Sequence, residues 1–157
     1  MFGYKKNGFS LIGVIIALFV VAIGLTGIVS LASISLKSAT TSEMRLIASG
    51  LAQEGVEIVR DIRRGNANWD NWYSSIGNGN YRVQYNNTNL ISFAETPLKL
   101  DGNGYYQYTT GNNSSFYRRV NFVKISANEI KLTVEIKWKI RDQWSYLTVE
   151  DHLWNWQ

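Results

Sequence analysis

The chain has 157 residues, 45% of them hydrophobic and 18% charged, which suits one modest globular domain plus one further element rather than two full domains. Its net charge of +4 includes Lys5 and Lys6; setting those two of the 16 basic residues aside leaves 14 against 12 acidic ones, too small an excess for a protein that lives on many phosphate contacts. Cysteine is absent, so disulfide frameworks, cysteine zinc clusters and thiol chemistry are excluded.

The first element follows a short basic stretch, Met1 to Asn7, and Gly8. From Phe9 to Leu31 no residue is charged, and a helix there is about 34 Å long, enough for a bilayer core of roughly 30 Å. Fifteen of these residues are Leu, Ile, Val or Phe, each worth roughly −0.3 to −0.6 kcal/mol on insertion, so the segment is expected to enter the membrane. Lys5 and Lys6 before it and Lys37 and Arg45 after it give only a mild bias toward a cytoplasmic N-terminus. The run exceeds the apolar core of an ordinary secretory signal, leaving a signal anchor as the plain alternative.

The string Lys5-Lys6-Asn7-Gly8-Phe9-Ser10-Leu11-Ile12 resembles the class III signal of type IV prepilins and type II secretion pseudopilins. The resemblance implies a prepilin peptidase that cuts after Gly8 and methylates the new N-terminal Phe9. It also implies other pilin subunits and an inner-membrane assembly platform as partners, with membrane lipid around the helix before assembly. The family usually has a glutamate five residues into the mature chain, thought to meet the N-terminal amine of a neighbouring subunit, whereas this chain has Gly13. Such a carboxylate in lipid is costly unless paired. Gly13 cannot make that pair, so a tip or initiating role and simple tolerance of the loss both stand open.

Beyond Leu31 helical periodicity persists in polar sequence: Met44, Ile47, Ala48, Leu51, Gly55, Ile58 and Ile62 fall at steps of three and four. Arg60, Arg63 and Arg64 suit a helix C-terminus ahead of Gly65, a C′ residue. The whole helix from Phe9 is then on the order of 80 Å long. Glu54 and Glu57 read as solvated surface, an i, i+3 pair rather than a carboxylate active site. Leu51 to Arg60, followed by Arg63-Arg64-Gly65-Asn66 through Trp69, is similar to a stretch of PilV-like minor pilins.

Residues 65 to 157 are expected to switch to period 2. Ile130 to Ile140 alternates apolar with polar residues and predicts a strand with one core face. Tyr117 to Ser126 precedes it through a turn at Ala127 to Glu129, and Arg141 to Trp144 turns the chain into Ser145 to Leu153. Two hairpins are predicted upstream, Tyr81–Tyr85 with Leu90–Phe93 and Leu98–Leu100 with Tyr105–Tyr108. The stretch from Trp138 through Trp156 is again similar to PilV-like proteins.

The predicted fold class is α+β: a long N-terminal helix, transmembrane in one half and amphipathic in the other, packed on an antiparallel β-sheet. Its divisions are a leader over 1–8, a membrane and fibre-packing helix over 9–32, an amphipathic helix over 33–64 and a β head over 65–157.

Other features carry a plain reading beside a sharper one. Asp101-Gly102-Asn103-Gly104 reads as a turn, lacking the carboxylates of a calcium cage. His152 has no cysteine or triad spacing beside it and reads as a strand residue. Arg118, Arg119, Lys124, Lys131, Lys137 and Lys139 with Tyr117, Phe122 and Trp138 suggest either a basic aromatic face for single-stranded nucleic acid or an ordinary wet sheet face, which is the preferred reading. The six tryptophans, at 69, 72, 138, 144, 154 and 156, either fill the core or present an adhesive surface. Asn-x-Ser/Thr triplets start at Asn86, Asn112 and Asn113. No catalytic constellation, cofactor loop or metal spacing is present, so no cofactor and no enzymatic activity are expected. An uncleaved single-pass anchor carrying a β-rich binding domain is the alternative of a different class.

Overall fold

A computed structural model describes residues 11–155. The single proline, Pro97, lies far from the N-terminal helix, and α1 runs unbroken from Leu11 to Arg64. The chain divides into two units, Met1–Ser42 and Glu43–Gln157. In the first, the described residues up to Ala39 are exposed and helical. Hydroxyls that would burden an apolar helix turn back on it, Thr26 Oγ1 donating to the Ile23 carbonyl at 2.8 Å and Thr40 Oγ1 to the Leu36 carbonyl at 3.1 Å.

In the second unit α1 buries Ala48, Leu51, Ala52, Gly55, Val56, Ile58, Val59 and Ile62, the stripe its periodicity predicts. A short helix, α2 (Trp69–Ser75), follows; Asn68 caps it by accepting from the Asn71 amide at 3.0 Å. The strands are β1 (Gly79–Arg82), β2 (Ile91–Ser92), β3 (Lys99–Leu100), β4 (Tyr106–Gln107), β5 (Asn112–Asn113), β6 (Phe116–Ser126), β7 (Glu129–Ile140) and β8 (Gln143–Trp154). The main sheet is antiparallel in the order β2-β1-β6-β7-β8, and β4-β3-β5 form a small second sheet. This is the α+β arrangement expected, an antiparallel sheet with the polar half of the long helix on it.

The sheet's inner face carries Val120 and Phe122 from β6 and Ile130, Leu132, Val134, Ile136 and Trp138 from β7, all at most 1% exposed. Alternation is strict on β7 because one face meets the helix and the other meets water. Gly55 marks the closest approach: a Cβ there would lie 3.0 Å from Val134 Cγ1 and 3.2 Å from Arg118 Cδ. Leucine at 55 is therefore expected to destabilise the head by about 1–3 kcal/mol through overpacking. Urea unfolding of the full chain in detergent, followed by tryptophan fluorescence, measures this, and an unchanged midpoint would refute the close packing.

Three expectations need correction. Period 2 does not begin at residue 65, because Trp69 and Trp72 lie one helical turn apart on α2 and are both buried. The Trp69 indole donates to the Ala127 carbonyl at 2.7 Å, and the Arg63 guanidinium lies over both rings, 5.1 and 5.6 Å from their centroids. The strand expected over 81–85 runs instead over Gly79–Arg82, since its pairing with β6 fixes Gly79 opposite Phe122 and Val83 and Gln84 turn inward. A short strand at Asn112–Asn113, β5, was not expected; Leu100 pairs with it.

Candidate functional site

The predicted cleavage and methylation positions, Gly8 and Phe9, lie outside the described residues. Gly13 lies on α1 with open space where its Cβ would be, so nothing described packs against that position. From Leu11 to Leu36 the helix exposes sixteen large apolar side chains, and Lys37 is its first charge. A helix apolar on all sides needs lipid or other helices around it. It is long and apolar enough to cross a membrane, and none of its most apolar stretch is buried.

In the head, the main polar feature is an ion pair between α1 and β6. The Arg118 side chain is fully buried on the inner face, its Nη1 donating to Glu54 Oε2 at 3.1 Å and to the Leu51 carbonyl at 3.2 Å. Nη2 donates to the Val83 carbonyl at 2.7 Å, so one guanidinium ties helix, sheet and the segment leaving β1. Arg118 is therefore no part of a wet basic face. It shares parity with Phe116, Val120 and Phe122, and that parity was the signal in the sequence. Glu54 is likewise no freely solvated carboxylate, being turned toward a buried cation. Glu57 does fit the solvated reading, pairing with exposed Arg64 at 3.2 Å.

The Tyr108 hydroxyl donates to the Arg118 carbonyl at 3.1 Å, and burial pushes its pKa above the ordinary value near 10. The folded state thus holds this proton more tightly, a contribution present below about pH 10 and lost as pH rises through the shifted value. Phenylalanine at 108 is expected to cost about 1 kcal/mol at neutral pH and to flatten the fall in stability above pH 10. Denaturant melts at pH 8 and 10.5 test both, and parallel slopes would remove Tyr108 as the cause.

The sheet's outer face mixes charges. Arg119 pairs with Glu135 at 2.9 Å, Lys131 with Glu150 at 2.8 Å, Lys139 with Asp142 at 2.8 Å, and Lys137 with Glu95. Lys124 is not among them: it stands opposite buried Ile130 on the inner side, 4.2 Å from the Tyr73 ring centroid of α2. Phe122 and Trp138 point inward with Arg118, so the basic aromatic set does not assemble on one face, and what remains outside is the mixed wet surface preferred from sequence. Trp69, Trp72 and Trp138 fill the core, whereas Trp144 and Trp154 are exposed.

Asp101 forms a turn, its Oδ1 accepting from the amides of Asn103 and Tyr105 at 2.9 Å. His152 is a β8 residue with Nδ1 2.6 Å from Glu129 Oε1. Among the described residues no cluster of three or more His, Cys, Asp or Glu could hold a metal ion.

A helix with a bare apolar N-terminal half, leading into an α+β head, fits a chain anchored in a membrane through that helix. Residues 4–29 match the family model described as the prokaryotic N-terminal methylation motif, a span that contains Gly8, Phe9 and Gly13. The N-terminus is thus prepilin-like, of the type IV pilin and pseudopilin kind, and with the single apolar helix it fits a single-pass inner-membrane anchor. The motif points to a structural subunit rather than an enzyme. No curated protein and no solved structure matches the chain.

Proposed function

We propose that the chain is a minor pilin of the PilV-like type, a subunit of a type IV pilus held in the inner membrane before assembly. The observation that carries this reading is the methylation motif over residues 4–29 running directly into an uncharged, exposed helix. In this reading residues 1–8 are the leader, the peptidase cuts between Gly8 and Phe9, and Phe9 is methylated. Residues 9–32 then pack first among lipids and later among other pilin subunits; 33–64 continue the helix into the head, and 65–157 form the head outside the cytoplasm. Gly13 in place of the usual carboxylate favours a tip or priming subunit over an abundant body subunit.

A type II secretion or competence pseudopilin shares every one of these features and is the second reading. Mass analysis of the mature N-terminus tests the proposal: methyl-Phe9 is expected, and a mature protein that keeps Met1 through Gly8 would replace the proposal with an uncleaved membrane anchor. Immunolabelling of isolated fibres then separates a pilus subunit from a secretion pseudopilin.

A further inference from the structure

The main sheet ends on one side in β2, two residues long, and on the other in β8, twelve residues long and paired only with β7. Arg141 and Asp142, at φ 47° and 67°, form the two-residue turn between β7 and β8, with both central residues left-handed as in a type I′ hairpin. Such a turn is closed by a hydrogen-bonded pair, here Ile140 and Gln143, after which bonded and non-bonded pairs alternate through twelve consecutive register positions. The odd-numbered residues of β8 therefore bond to β7. The N–H and C=O groups of Trp144, Tyr146, Thr148, Glu150, His152 and Trp154 point away from the sheet, and among the described residues no hydrogen bond reaches them.

Protected edges are kept short, bulged, or studded with lysine or proline. β8 has no proline, no lysine and no register break, and its two carboxylates, Glu150 and Asp151, are both paired, with Lys131 and Arg60; the irregularity in this sheet falls on β6, between Lys124 and Ser126. On the inner side Leu147 and Val149 are only half-buried, and the open groove beside Val149 is lined on α1 by Gly50, Gln53 and Val56 together with the charged Glu54, Glu57 and Arg60. On the outer side Trp144, Tyr146 and Trp154 stand exposed. A free ladder with apolar residues on both faces is a seat for one more strand.

We infer that β8 receives an extended strand from a different polypeptide of the same filament, hydrogen-bonded along the even-numbered edge, with alternate apolar side chains over Val149 and against Trp144 and Tyr146. The inference rests on the pilin-subunit reading for the source of that strand. A second copy is the poorer occupant. Antiparallel pairing of two β8 strands is isologous about an axis normal to the sheet, which reverses the head segment of α1 in one copy relative to the other. An isologous pair closes on itself, whereas copies stacked along a filament meet through heterologous contacts that do not close. The β2 edge, at two residues, is too short to supply the partner from another head of this kind.

The test uses the full chain, purified in detergent and within isolated filaments, and compares amide hydrogen exchange along β8. In detergent the even-numbered amides should exchange fast and the odd-numbered ones slowly; in filaments the even-numbered ones should slow by about tenfold or more. Thr148→Pro removes an outward N–H at a position where an edge strand tolerates proline. It should leave the detergent-state fold intact and reduce incorporation into filaments. Because the chain lacks cysteine, Thr148→Cys gives a single cross-linking site. A cross-linked product of this chain with another subunit supports the inference, and a product of twice its own mass overturns it in favour of self-pairing. Even-numbered amides that exchange equally fast in filaments containing a methyl-Phe9 chain would sink the inference and leave the pilin reading standing; an uncleaved leader would sink both.

Discussion

Replacing Glu54 with alanine is expected to destabilise the head by about 3–5 kcal/mol, because it strands the guanidinium of Arg118 in the core without its counter-charge. The size of the effect follows from the asymmetry of burial: the Arg118 side chain is 0% exposed and that of Glu54 is 32% exposed. The carboxylate can rehydrate when its partner is lost, whereas the guanidinium cannot. The two carbonyls at Leu51 and Val83 still hold Arg118, so the loss comes from charge rather than from all three hydrogen bonds. Methionine at 118 with alanine at 54 should recover part of the loss, since a linear apolar side chain fills the same channel without a charge to solvate. Denaturant unfolding of the four variants in a double-mutant cycle measures the coupling. A loss below about 1 kcal/mol for Glu54→Ala would mean that the pair behaves like a surface ion pair.

The second large effect is expected in the apolar helix. Val21 lies near the middle of the uncharged run and is 57% exposed. Arginine there changes a contribution of about −0.3 to −0.6 kcal/mol into one of about +2.5 to +3.5, a shift of roughly 3–4 kcal/mol against insertion. The ratio of inserted to translocated chain in an inverted-vesicle assay should fall by about two orders of magnitude or more. Arginine at Ser38, next to Lys37 and outside the uncharged run, should change that ratio by less than about threefold. Equal ratios for the two variants would show that residues 11–36 do not reside in the hydrocarbon layer.

The parts of the fold that could be read in the sequence are those fixed by a local period. Apolar residues at steps of three and four placed the buried stripe of α1 from Ala48 to Ile62, and alternation placed β7 within one residue. The turns at Ala127 and Arg141 could be read because they interrupt that alternation. α2 escaped because seven residues hold barely two turns, too few for a period to show. Its signal was the Asn68 cap with two tryptophans three apart. β5 escaped, and the bounds of β1 shifted, because two to four residues carry no pattern of their own and take their register from β3 and β6.

The candidate site divides in the same way. Sequence by itself determined the basic N-terminal stretch, Gly8 and Phe9, the uncharged run, and the absence of any carboxylate at Gly13, since these depend on the order and kind of residues along one segment. Parity along β6 marks Arg118 as an inner-face residue, but tertiary structure alone decided that it meets Glu54, 64 residues away, and that Gly55 lets helix and sheet close on each other. It also decided that β8, read from sequence as one more strand of a meander, ends the sheet with six residues' backbone groups unpaired among the described residues. A charge on an apolar face becomes an ion pair, and a strand becomes an edge, only through what lies beside it, and neighbours brought together by folding are not written in the local pattern.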